Sequence, residues 1–127
     1  MSTDVDALKR LIRLPGAVQR CDWQTGPMAA QGTDWWLAAV LEVVENQMPA
    51  FLLGTPERSA IQTPPGLAFS GAFASLKSSW GAPMGEGGRV SATVEAHSVA
   101  PYAASPLLRG VATRLSFTQV LVLLFTS

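Results

Sequence analysis

The sequence predicts an α+β fold: a mostly antiparallel sheet flanked by helices, in the order helix, strand, strand, helix, strands. Three observations carry that expectation. An amphipathic stretch over residues 3–14 stops at Leu14-Pro15-Gly16. A loosely alternating segment follows it and reaches a glycine-bearing turn at Gln24-Thr25-Gly26. A dense apolar run, Val120 to Phe125, lies close to the last residue.

Each element has a local reason. Over residues 3–14, Val5, Leu8, Leu11 and Ile12 recur at three- and four-residue steps and make one apolar face. Thr3 and Asp6 have capping-box spacing, and Lys9, Arg10 and Arg13 suit the negative helix end. Pro15 forbids continuation and Gly16 supplies the turn. Ala17 to Trp23 then alternates as a half-exposed strand, and Met28 to Gln31 reads as its short returning partner. Thr33 and Asp34 open a second helix over residues 34–47, with Trp36, Leu37, Val40, Leu41 and Val44 on one side. Glu42, Glu45 and Asn46 take the other side, Trp35 falls among them, and Pro49 ends the element. Further on, 50–53 and 67–76 read as strands around a Pro- and Thr-rich loop, and Gly81 to Gly88 is rich in turns. Arg89 to Ser98 alternates as a strand, and 102–110 is irregular around Pro101 and Pro106. The terminal run reads as an element buried on both faces, with β-branching favouring strand.

Length suits a single domain over 1–127, burying roughly two-thirds of its unfolded surface. Charged residues are only 14% and hydrophobic residues 48%, and nine basic side chains balance nine acidic ones. A neutral chain has no electrostatic reason to seek phosphate backbones or anionic lipid, so nucleic acid is not an expected partner. Low charge beside much apolar surface favours association, so a homodimer or higher oligomer is expected. No apolar run approaches the eighteen or so residues of a membrane span. Asp4 and Asp6 give a polar start without the basic region of a signal peptide, and the single Cys21 cannot form an internal disulfide. A cytoplasmic location is the default expectation.

Residues with reactive chemistry are few. Cys21 and His97 are the one nucleophile–base combination, and a Cys becomes a thiolate only beside a cationic or imidazole neighbour. The ordinary reading is a small buried residue and a strand-surface histidine. Gly85-Glu86-Gly87-Gly88-Arg89 resembles a phosphate cradle but lacks the Lys-Ser or Lys-Thr of a nucleotide loop. One His and one Cys cannot build a structural zinc site, and no cofactor is expected. Among Trp23, Trp35, Trp36 and Trp80, Trp80 sits in a predicted loop and is the candidate contact for a partner or ligand.

The opening pattern resembles the Roadblock family, the dynein-light-chain-type regulatory domains with a profilin-like sandwich. The matching residues are Leu8, Leu11, Leu14-Pro15-Gly16, Val18, Gly26 and Ala29-Ala30-Gln31-Gly32, followed by the helix after Asp34. The match covers residues 4–48; beyond it, Pro- and Gly-rich segments and an apolar run stand where the family has three strands and usually a final helix. The resemblance implies a non-catalytic homodimer that scaffolds or regulates small GTPases and motor-type machines. It implies a two-fold interface on the second helix, which here falls on Trp35, Ala38, Ala39 and Glu42. The alternative is a structural subunit of a larger assembly, such as a phage or virion component, suited by low charge, many turns and the apolar run. A small enzyme using Cys21 and His97 ranks third.

Overall fold

Residues 2–29, 31–80 and 90–126 are described by the structure, a computed structural model, without the side chains of 77–79. Ala30, the turn-rich stretch Gly81 to Gly88 and Arg89 of the phosphate-cradle candidate lie outside the described residues.

The first helix, α1, is Val5–Lys9, much shorter than 3–14, and its cap is Asp4, whose carboxylate accepts the Ala7 N–H at 3.1 Å. It stops early because a tertiary partner claims the backbone: Arg13 N–H donates to the Tyr102 carbonyl at 3.0 Å. Leu8 and Ile12 are nevertheless buried, as their spacing requires.

Strand β1 is Arg20–Pro27 and runs straight through the predicted turn at Gln24-Thr25-Gly26. Gly26 is needed there for close approach rather than for turning. A Cβ on it would lie 2.6 Å from Cζ2 of Trp36. The chain reverses later, where Met28 N–H donates to the Asp34 carbonyl at 3.0 Å and Gly32 has φ +112°.

The predicted helix 34–47 is strand β2, Trp35–Glu42, paired antiparallel with β1 from Arg20↔Glu42 to Pro27↔Trp35. Its apolar residues satisfy a helical period, but they are also a continuous run, and such a run suits a strand covered on both faces. Leu37, Ala39 and Leu41 enter one core, while Trp36, Ala38 and Val40 enter the other. Pro49 lies in the first turn of α2, Met48–Phe51, where its missing N–H costs nothing. Residues 50–53 are therefore not a strand. Strand β3, Glu57–Gln62, occupies what reads as loop, and 67–76 is not a strand: 67–70 is irregular and leads into a 3₁₀ turn, Gly71–Ala74, and α3, Ser75–Trp80.

The later expectations hold better. Strand β4, Ser91–Ala96, alternates exposed and half-buried positions as its sequence does. Strand β5, Arg109–Arg114, begins inside the 102–110 segment that reads as irregular, whereas the apolar run is β6, Gln119–Phe125, buried at five successive positions. The chain is thus α+β and mostly antiparallel, with a four-stranded sheet β1-β2-β6-β5 and a β3-β4 ribbon. His97 hangs the ribbon on β5 through paired backbone bonds with Ala112, 2.7 and 3.2 Å.

Both faces of the central strands are covered. On one face α1, α2 and Tyr102 pack on β2 and β6, and the Tyr102 hydroxyl donates to the Phe51 carbonyl. On the other, Leu67, Phe73 and Leu76 cover Trp36, Val40 and Leu121. Sheet side chains fasten this irregular cover by its own backbone. Gln24 exchanges two hydrogen bonds with Ala68 (2.8 and 3.0 Å), Asp22 accepts from Ala72 N–H (2.7 Å) and Trp36 donates to Pro65 (3.0 Å). That satisfies polar groups a non-regular segment would otherwise bury unpaired. Among the described residues no helix is long and apolar enough to cross a membrane.

Candidate functional site

With both sheet faces covered, the informative surface is one end of the sheet. Register brings residues distant in sequence into a single row there. Arg20 of β1 stands opposite Glu42 of β2, and Glu42 opposite Gln119 of β6, whereas Arg114 of β5 pairs with Val120, one position further on, and so lies on the other face. Arg20 donates from Nε and Nη2 to Glu42 Oε2 at 3.1 and 2.8 Å. That hydrogen bond, together with the attraction of Glu42, raises the guanidinium pKa further. The Arg20 side chain is 81% exposed, so most of it remains available.

Beside this row lies a groove of about 560 Å³ that takes in β1 and lining from both sides of the sheet, with Val5 and Cys21 of the first core and Val40 of the second. Val5 and Ala72 supply its accessible apolar lining, and Arg20, Asp22, Glu42 and Gln119 supply polar lining. The 3₁₀ turn borders the groove through Gly71 and Ala72, whose N–H is tied to Asp22.

At the same end of the sheet stands the turn between β5 and β6, with Phe117 73% exposed. Arg114 holds this turn in shape, donating to the carbonyls of Ser116 (2.9 Å) and Phe117 (3.1 Å) while its guanidinium lies 5.5 Å from the Phe117 ring centroid. The Thr118 carbonyl accepts Val43 N–H at 2.8 Å, locking the turn to the end of β2 next to the partly exposed Val44. An exposed aromatic ring on a braced turn loses little freedom on binding, which is the property of an interface anchor.

Of the sequence-predicted interface residues, only Glu42 reaches this site. The helical face joining Trp35, Ala38, Ala39 and Glu42 does not exist, because successive residues of a strand point to opposite faces. Ala38 and Ala39 are fully buried, one in each core. Trp35 is half-buried against the first core, its N–H donating to Thr126 Oγ1 at 3.0 Å. Trp80 ends α3 rather than lying in a loop, half-buried against the second core.

Cys21 and His97 are not brought together. Cys21 is on β1 and His97 lies beyond β5, so four strand spacings separate them along the sheet, about 19 Å. Burial, and then the negative charges of Asp22 and Asp4, push the Cys21 thiol pKa up, opposite to activation. His97 holds its place by backbone, and its buried Nδ1 has no hydrogen-bond partner among the described residues. Among the described residues no three His, Cys, Asp or Glu side chains gather as a metal site.

Iodoacetamide should therefore label Cys21 at least tenfold more slowly in the folded chain than in urea at neutral pH, followed by mass spectrometry. Comparable rates would contradict its burial. Alkaline pH acts in the same sense. Burial also raises the Tyr102 phenol, so both groups keep their protons longer when folded, and the unfolded chain ionises first. Stability accordingly falls as pH rises past the ordinary thiol value of 9.0.

Sequence reasoning missed Phe117, Arg20 and Gln119. The available signal was a lone aromatic between Ser116 and Thr118, an apolar side chain in an otherwise polar turn. No family model, no curated protein and no solved structure matches the chain.

Proposed function

We propose that the protein is a non-catalytic association module, a scaffolding or regulatory subunit that works by binding copies of itself. The observation that carries this reading is Phe117, a braced aromatic exposed at a sheet end. Exposing such a ring to water is unfavourable unless a partner covers it, and aromatic anchors are enriched where partners meet. Net charge zero removes the long-range repulsion that keeps highly charged proteins apart. The separation of Cys21 from His97 leaves the one nucleophile–base combination unassembled.

Sedimentation equilibrium of the purified chain tests the reading. A discrete species of twice the chain mass, dissociating only on dilution, is the expected result. A monomer at every accessible concentration would sink it, and open-ended polymers would favour a structural subunit of a larger assembly.

A further inference from the structure

We infer that residues 2–4 are a releasable guard on the open edge of the main sheet. Laid across Trp23, they keep β1 from pairing with the β1 strand of a second copy.

Strand β1 is the outermost strand of the four-stranded sheet. Its eight residues pair with β2 in unbroken register, and its one proline is the last of them. An edge of this kind is a template for another strand unless something covers it. Register tells which of its backbone groups face outward. Val43 N–H donates to the Thr118 carbonyl, and the Trp35 carbonyl accepts Thr126 N–H, so the odd-numbered residues of β2 bond toward β6. Trp36, Ala38, Val40 and Glu42 therefore bond toward β1, where they meet Gly26, Gln24, Asp22 and Arg20. That leaves Cys21, Trp23 and Thr25 with N–H and C=O groups turned away from the sheet.

The guard takes the middle one of these three positions. Ser2 exchanges two backbone hydrogen bonds with Trp23, both 2.8 Å, as an antiparallel bridge. The Trp23 indole donates to the Asp4 carbonyl at 3.0 Å, and the Ser2 hydroxyl accepts Asp4 N–H at 3.1 Å. Among the described residues Cys21 and Thr25 have no such bridge on the outer side. An incoming strand must lie along all three positions, so Ser2 occupies the line it would take.

Without the guard, β1 is self-complementary. Two copies run antiparallel about a two-fold axis at Trp23 set Arg20 against Gly26, Cys21 against Thr25 and Asp22 against Gln24. Seven residues of each strand pair, and no like charges face one another.

The guard is also easy to lift. Ser2, Thr3 and Asp4 carry no apolar side chain, and Thr3 and Asp4 are exposed. Their hold on the sheet is concentrated on Trp23, with one further long contact from Cys21 Sγ to the Thr3 carbonyl at 3.8 Å. From Val5 onward the chain is anchored differently, since Val5 and Leu8 pack into the first core. Residues 2–4 can thus leave the edge while α1 stays docked, as weakly held segments open without global unfolding.

The double variant Ser2→Pro, Trp23→Phe tests this in the full chain. Proline removes the N–H that bonds the Trp23 carbonyl, and phenylalanine removes the indole donor while keeping a ring. Circular dichroism and thermal unfolding establish that the variant is folded. If it is not, Ser2→Pro alone is used, because residue 2 belongs to neither core. By sedimentation the folded variant should self-associate at least tenfold more tightly than the unaltered chain. Its associated form should also show slowed hydrogen exchange at the Cys21 and Thr25 amides. A smaller gain, or weaker association, overturns the guard. Tighter association without slowed exchange at those amides overturns it as well, since the new contact then lies elsewhere. An unaltered chain that stays monomeric while the variant associates through these amides removes the function proposed above and leaves the guard standing.

Discussion

Trp36→Ala should lower the free energy of unfolding by about 3–5 kcal/mol, the range for deleting a large buried aromatic. Trp36 is essentially inaccessible, stands on the central strand β2, and heads the core beneath Leu67, Phe73 and Leu76. Three losses combine at this position. The ring volume disappears from a close-packed core, and the Pro65 carbonyl loses its indole donor. The third loss is the surface on which Gly26 rests, since the ring lies so close that no Cβ fits there. Urea denaturation followed by circular dichroism measures the sum, and a loss below about 1 kcal/mol would mean that the ring does not organise this face. Against a typical total of about 5–15 kcal/mol, a loss of that size brings a small domain close to its unfolding threshold.

Gly110→Ala should be comparably damaging although it adds a single methyl group. Gly110 has φ +153° and pairs with Leu124 across β5 and β6. A Cβ there would stand 1.8 Å from the Leu123 carbonyl oxygen, a backbone atom that no rotamer change can move aside. The strand must shift away from β6 or surrender its backbone conformation, at about 3 kcal/mol or more. The consequence reaches the site, because β5 carries Arg114 and leads into the Phe117 turn. We expect a lowered unfolding midpoint and faster hydrogen exchange at the β5 amides. Unchanged exchange there would show that the ladder absorbs the methyl group.

These two positions show why part of the fold was legible and part was not. Gly110 carries no local mark in the sequence: its need for hydrogen at Cα comes from a strand thirteen residues away, Leu123. Gly26 looks like a hairpin turn because Gln24-Thr25-Gly26 has turn chemistry, yet the requirement is Trp36 pressing on it from the paired strand. Strand β4 was readable because one of its faces is half-buried and the other exposed, so burial alternates with the sequence. The site was readable only at Glu42. Its other members belong to β1, β5, β6 and a turn, and nothing local says that Arg20 will face Glu42 or that Phe117 will stand beside Gln119.

By itself the sequence determined what depends on composition and near neighbours. Neutral charge, an antiparallel α+β class, burial of Leu8 and Ile12, and a doubly buried run at residues 120–125 all follow from counts and short periods. Tertiary structure alone decided that Trp35 to Glu42 is a strand and that one end of the sheet is a candidate binding surface. The reason is physical. An apolar run of this length satisfies a helix buried all round as well as a strand buried on both faces, and local spacing does not distinguish them. The choice falls to whatever covers the second face, here the segment pinned by Asp22, Gln24 and Trp36. Register then aligns the row that runs from Arg20 through Glu42 to Gln119, all three of which line the groove.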